Sequence, residues 1–224
     1  MINVFLGFDP RQPVAYNVLA HSIASRASKP VSITRLQLDQ LPITRRGLTE
    51  FTYSRFLVPW LSNYEGVSIF LDSDMLCLCD IQSLLAFPME YPGVPVFVVP
   101  HTLKFERPSV MVFRNALCKV LTPEYIQNVS NPLFNFGWTS AIGGLPAEYN
   151  HLVGYDQPSD KAKIIHFTQG IPCWPETKDS EYAADWHAEA RNMVSTVSFD
   201  DLMGHSVHVK HVQKRLQEMK SANV

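Results

Sequence analysis

Ile69-Phe70-Leu71-Asp72-Ser73-Asp74-Met75-Leu76 is the stretch on which the fold turns. A short apolar run, Val67 to Leu71, reads as a buried strand, and it delivers two carboxylates at positions i and i+2 to its C-terminal end. In open α/β sheets that end is where ligands bind. Side chains two apart on a strand are held apart, so one ion can be shared by Asp72 and Asp74 only if the chain loosens after Leu71. Two close carboxylates also repel unless a cation stands between them, and hard oxygen ligands suit Mg²⁺ or Mn²⁺. The plainer alternatives are a solvated turn or a helix cap, a role that Asp80 could fill before Ile81 to Leu85.

Toward the N-terminus, Ile2 to Phe8 is another apolar strand, stopped at Asp9-Pro10. Pro13 opens a helix over Val14 to Ala27, and Val31 to Leu38 alternates as a strand. Strand, helix, strand in the first 40 residues predicts a right-handed crossover unit. Phe51 to Tyr64 has helical period, with Pro59 as its weak point. Further strands are expected at Val94 to Val99, Val110 to Phe113 and Lys163 to Phe167. Helices are expected at Ala116 to Val129 (interrupted at Pro123), Asp179 to Val194 and Val207 to Lys220. The fold class is therefore α/β: a Rossmann-like, mostly parallel sheet flanked by helices. No repeat or linker splits the chain, which predicts one domain over 1–224.

Composition bounds the function. The 224 residues suffice for one core of ordinary size. Nineteen basic against 21 acidic residues give a net charge of −2, so nucleic acid is not an expected partner. No apolar run approaches the roughly 18 residues that span a bilayer, and the N-terminus lacks a basic start before its apolar stretch. Four cysteines are too few for a disulfide scaffold, so a cytoplasmic location is expected. Nucleotide cradles of the Gly-x-Gly-x-x-Gly and Gly-Lys-Ser/Thr types are absent, as are the His-Glu-x-x-His and Gly-x-Ser-x-Gly signatures.

A second potential ligand ends a later strand, in Lys163-Ile-Ile-His166-Phe-Thr-Gln-Gly170-Ile-Pro-Cys-Trp174. Imidazole can complete a carboxylate pair on Mn²⁺, and the Gly-containing loop after it offers backbone N–H groups to an anion. A histidine in this place can equally be structural.

Taken in order, these segments resemble the nucleotide-sugar glycosyltransferases of the GT-A fold, most closely family 8, the glycogenin and bacterial galactosyltransferase group. Asp72-Ser73-Asp74 is similar to that family's Asp-x-Asp pair, Ile2 to Asp9 to its first strand, and Tyr53-Ser-Arg55 to its Tyr-x-Arg element. His166 to Trp174 is similar to its His-x-x-Gly-x-x-Lys-Pro-Trp segment. The resemblance implies a nucleotide-binding half over about 1–80 and an acceptor half after it. Asp72, Asp74 and His166 would be ligands to Mn²⁺ or Mg²⁺, with Gly7, Phe8, Asp9, Arg55, Ser73 and Gly170 holding the nucleotide sugar. The implied partners are a UDP-sugar and a sugar or glycan acceptor, and the implied reaction is hexosyl transfer with retention. An ungapped match puts Gln169, Pro172 and Cys173 where the family has Gly, Lys and Pro. A one-residue shift lets Gly170 serve as the Gly, but the Lys is missing in either alignment. Asp156 is the one candidate for an acceptor-side carboxylate, and Asn150 is expected to fix a turn.

Two other functions fit parts of the sequence. Asp72-Ser-Asp74 also resembles the nucleophile motif of haloacid-dehalogenase-type phosphatases, although no later Gly-Asp-x-x-x-Asp follows. Pro172 in place of Lys would suit a nucleotide-sugar-binding module without turnover. His205, His208 and His211 recur every three residues, which reads as a solvated helical face before a metal cluster. The basic amphipathic stretch around Lys210 to Lys220 reads as a docked helix first and a peripheral membrane contact second. Trp138, Trp174 and Trp186 are expected in the core before any sugar-stacking role.

Overall fold

A computed structural model describes residues 1–194. His205, His208, His211 and the predicted helix Val207 to Lys220 lie outside the described residues. The chain divides into a unit Met1–Ala190, which holds both sheets, and a stretch Arg191–Val224.

In chain order the elements are β1 (Ile2–Gly7), α1 (Pro13–Arg26), β2 (Val31–Leu36), α2 (Val58–Leu61), β3 (Val67–Leu71), β4 (Met75–Cys77), α3 (Ala86–Glu90), β5 (Val96–Val98), β6 (Val110–Arg114), α4 (Pro123–Gln127), β7 (Ile142–Gly144), β8 (His151–Leu152), β9 (Ile164–His166) and α5 (Ala183–Met193). Short 3₁₀ turns join many of them. β1, β2 and β3 pair in parallel, with Phe5 beside both Thr34 and Phe70. The six-stranded sheet runs β2-β1-β3-β6-β5-β7, and β6 alone is antiparallel to its neighbours. It is therefore mostly parallel, as the sequence pattern predicts. A small second sheet, β4-β9-β8, stands beside it and joins Met75 to His166 in register.

The two faces of the large sheet bury separate cores. Val4, Leu6, Ile69, Leu71 and Val112 pack against Leu19 and Ile23 of α1, while Phe5, Phe70, Met111 and Phe113 pack against Phe56, Leu57 and Trp138. Alternate residues of each strand point to opposite faces, so β1 and β3 need apolar residues almost throughout. This is why both read as unbroken apolar runs.

Several elements differ from expectation, each for a local reason. The predicted helix over Phe51 to Tyr64 is a 3₁₀ turn, Ser54–Leu57, running into the single turn of α2. Pro59 has no N–H to donate, and Asn63 and Tyr64 take positive φ angles of 51° and 58° to close the segment. Pro123 starts α4 instead of interrupting a longer helix, since Thr122 caps it from a position that Pro tolerates. Asp80 caps the 3₁₀ turn Ile81–Leu85, accepting from the Gln82 N–H at 3.0 Å. Trp138 and Trp186 are buried, whereas Trp174 is half exposed. No described helix is long and apolar enough to cross a membrane.

Candidate active site

β3 ends at Leu71, and the chain bends through Asp72, Ser73 and Asp74 before β4 begins at Met75. That bend removes the strand constraint that would hold the two acids apart. β9, paired to β4, brings His166 opposite Met75. One ligand atom from each of Asp72, Asp74 and His166 then lies within 4.8 Å of the others. Residues far apart in the chain thus meet because the strand after the acidic pair is hydrogen-bonded to the strand carrying the imidazole.

The cluster is buried and charged. Asp72 and His166 are almost without solvent, and Asp74 is partly open. Arg55, also buried, places Nη1 3.0 Å from Asp72 Oδ1 and donates from Nη1 to the Pro108 carbonyl at 3.0 Å. Burial pushes the Asp72 carboxyl up to about 6; Arg55 opposes the rise, and the Asp74 charge adds to it. Burial disfavours the His166 imidazolium, but Asp74, Asp72 and Glu106 together outweigh it and raise the ring above its ordinary value.

Two atoms show what the cluster lacks. Asp72 Oδ1 and Asp74 Oδ1 are buried, and neither has a well-directed hydrogen-bond donor. His166 Nε2 approaches Asp74 Oδ1 at 3.4 Å without making one. Asp72 Oδ1 keeps only its ion pair with Arg55; buried carboxylate oxygens without a well-directed donor are costly, and a divalent cation among these oxygens and the imidazole nitrogen would satisfy them. Two carboxylates and one imidazole fit Mn²⁺ by donor type better than Mg²⁺, which favours oxygen ligands alone.

The cluster floors a cavity of about 470 Å³ lined also by Arg55, Glu106, Phe51, Phe105, Phe134 and Leu48. Three carboxylates therefore face one guanidinium across a largely apolar space. The walls come from three stretches. Gly47 to Arg55 supplies one stretch, the turn Lys104–Ser109 supplies Phe105 and Glu106, and Phe134 is the third. Leu48 and Phe105 stand exposed at the rim.

The remaining sequence candidates scatter. Gly7 lies behind Phe51: a Cβ there would sit 2.6 Å from the Phe51 ring, so its glycine is needed for packing. Phe8 is buried edge-on to Tyr16, with the Arg35 guanidinium 4.6 Å from its ring centroid. Asp9 is taken by Arg11, which donates from Nε and from its backbone N–H to Oδ1, and this holds the carboxyl below its ordinary value. Ser73 is buried between the two acids. Gly170 takes a φ of +117° that favours glycine, but its N–H is spent on the Phe167 carbonyl at 2.7 Å. Gly170 and Asp156 line a separate cavity of about 360 Å³ that includes none of the cluster residues. Asp156 Oδ2 accepts from the Leu152 N–H at 2.8 Å, and Oδ1 lies 3.5 Å from His101 Nε2. It serves the loop and stands apart from the acids.

Two residues at the site escape a reading of the sequence. Glu106 is buried behind His166, accepting from Ser109 Oγ at 3.1 Å and from the Thr168 hydroxyl. Asn150 does end a turn, as expected, but its side chain also reaches His166 Nδ1 at 3.0 Å. Neither sits in a motif or in an apolar run: Glu106 is flanked by Phe105 and Arg107, and Asn150 by Tyr149 and His151.

The fold is that of the GT-A glycosyltransferases. Among solved structures, the bifunctional glycosyltransferase WbbM aligns with a TM-score of 0.64 at 15% identity, over 96% of this chain and 51% of that one. The apo glycosyltransferase GlyE of Streptococcus pneumoniae TIGR4 also gives 0.64 at 15% identity, over 84% and 60%. The galactosyltransferase LgtC, solved in complex with donor and acceptor sugar analogues, gives 0.56 at 11%, over 89% and 98%. The chain thus spans only about half to three fifths of the WbbM and GlyE chains. No protein-family model matches it. Protein CDI of Arabidopsis thaliana is 32% identical over 218 residues, covering 82% of this chain and 83% of that protein, and the chain belongs to the same family as Protein CDI.

Proposed function

We propose that the protein is a glycosyltransferase of the family 8 type. It moves a hexose from a UDP-sugar to a hydroxyl of a sugar or glycan acceptor with retention, in the presence of Mn²⁺ or Mg²⁺ held by Asp72, Asp74 and His166. The observation that carries this reading is the convergence of those three side chains within 4.8 Å at the end of β3. The likeness to solved glycosyltransferases supports the reaction class.

The charge of the cavity supports the metal. A diphosphate entering a space lined by Asp72, Asp74 and Glu106 meets repulsion that Arg55 alone does not cancel. Arg55 is already engaged with Asp72, and the chain has Pro172 where the family places its phosphate-binding Lys. When bound, the ion supplies the positive charge that steadies the departing diphosphate. Arg55 holds Asp72 in place, and His166 presents Nε2 to the same space. Phe51, Phe105 and Phe134 keep water from the breaking bond, which strengthens each charge interaction there. The division into a nucleotide half over about 1–80 and an acceptor half beyond it is part of the same proposal.

Calorimetry with Mn²⁺ and a panel of nucleoside diphosphates tests the binding, and release of free sugar from UDP-sugars tests the chemistry. The reading expects UDP to bind only with a divalent ion, and Asp74→Asn to abolish that metal-dependent binding. No nucleotide binding with Mn²⁺ present, or an Asp74→Asn variant identical to wild type, would remove it. Tight binding with no sugar released or transferred would leave a nucleotide-sugar-binding module instead.

A further inference from the structure

We infer that Asn150, backed by Glu106, is a positioning residue that fixes the tautomer of His166, so that Nε2 and not Nδ1 is free to face Asp72 and Asp74. The inference rests on the proposed metal site and adds the device that makes the imidazole a ligand.

The Asn150 amide is buried, and its two ends can be told apart by their partners. Nδ2 lies 3.2 Å from the Glu106 carbonyl oxygen, which can only accept. The nitrogen must face that carbonyl, so the oxygen Oδ1 is the atom 3.0 Å from His166 Nδ1. An amide oxygen also only accepts; the ring nitrogen opposite it must carry the proton. Glu106 Oε2 stands 3.5 Å from the same Nδ1, a second acceptor on the same side. That carboxylate is in turn held by the hydroxyls of Ser109 and Thr168. Neutral imidazole has one N–H, and here it is drawn to the back of the ring. With a proton held on Nδ1, Nε2 is the ring atom that faces Asp74 Oδ1, 3.4 Å away; without an ion the carboxylates favour a second proton there, and a bound cation would take that proton's place. Metal-bound histidines are commonly oriented in this way, by an acceptor on the distal ring nitrogen.

The experiment uses the full chain labelled with ¹⁵N-histidine. Long-range ¹H–¹⁵N spectra with saturating Mg²⁺ report which ring nitrogen of His166 carries hydrogen, and calorimetry gives the Mn²⁺ affinity. Wild type is expected to show the Nδ1–H form. Asn150→Leu, close in shape but unable to accept, is expected to weaken Mn²⁺ binding about 10- to 100-fold and to lose the single tautomer. Asn150→Asp keeps the acceptor for Nδ1 while losing the donor to the Glu106 carbonyl, and is expected to retain the Nδ1–H form that Asn150→Leu loses, which a merely structural role for the amide would not predict. An Asn150→Leu variant with unchanged Mn²⁺ affinity and an unchanged tautomer overturns the inference. So does an Nε2–H signature without Nδ1–H in Mg²⁺-saturated wild type, a result that needs no variant to fold. Failure of wild type to bind Mn²⁺ would remove the metal site, while a metal-free spectrum in which Nδ1 lacks hydrogen would by itself overturn the role of Asn150.

Discussion

Gly7→Ala is the perturbation whose size follows most directly from the coordinates. Gly7 ends β1 against Phe51, a residue that lines the cavity, and the resemblance to family 8 gives it a place near the nucleotide. The structure gives a different physical reason for glycine. An added Cβ would lie 2.6 Å from Cγ and Cδ2 of Phe51, against the roughly 3.5–4.0 Å at which carbon atoms pack. The ring would have to retreat by about 1 Å. Phe51 is buried in the core on that face of the sheet, with the Arg55 guanidinium 5.5 Å from its ring centroid, so the ring is not free to swing aside. Overpacking of this kind costs about 1–3 kcal/mol, which for a chain of this length lowers Tm by roughly 2–12 °C. Urea denaturation of wild type, Gly7→Ala, Phe51→Leu and the double variant forms the assay. The double variant should regain part of the loss, because the smaller side chain makes room for the methyl group. A Gly7→Ala protein within about 0.5 kcal/mol of wild type, or strictly additive losses, would refute packing as the reason for this glycine.

Arg55→Met should destabilise the protein by about 3–5 kcal/mol in chemical denaturation at pH 8, since Asp72 would be left as a buried charge without its partner. In EDTA, the stability contributed by Asp72 should be greatest below pH 3.8 and be lost as pH rises through about 6, because its folded carboxyl is raised; the raised His166 acts in the same direction above pH 6.5. The stability difference between wild type and Asp72→Asn, followed by urea melts from about pH 4 to 8, should therefore move against wild type as pH increases, and a flat difference would contradict the burial argument. Mn²⁺ affinity should run the opposite way and strengthen with pH, because the ligands must shed their protons; calorimetry at about pH 5.5 and 7.5 measures this. Among the described cysteines, exposed Cys173 should alkylate in the native state, whereas burial that pushes the Cys118 thiol up to about 12 should protect it until unfolding, as mass spectrometry after iodoacetamide would show.

The parts of the fold legible in sequence are those with long apolar runs. β1 and β3 are buried on both faces, so their sequences announce themselves, and Pro13 marks α1. β4, β7 and β8 span two or three residues each, too short for any periodicity to register. β4 matters most, because its pairing with β9 is what carries His166 to the acids. The candidate ligands Asp72, Asp74 and His166 are readable because they sit at strand ends next to apolar runs. Glu106 and Asn150 are not, since their roles depend on a turn and a loop meeting behind the imidazole, a long-range contact that no local pattern encodes. The resemblance makes Arg55 a donor to phosphate, and the structure adds what the sequence could not: it is also the buried partner of Asp72.

Diffraction from crystals soaked with Mn²⁺ and UDP, recorded for the anomalous signal of manganese, bears most directly on the proposed chemistry. The expected result is one strong peak bonded to Asp72, Asp74 and His166 Nε2, with the diphosphate on its open side. UDP bound in the cavity with the manganese elsewhere, or with no manganese at all, would contradict it.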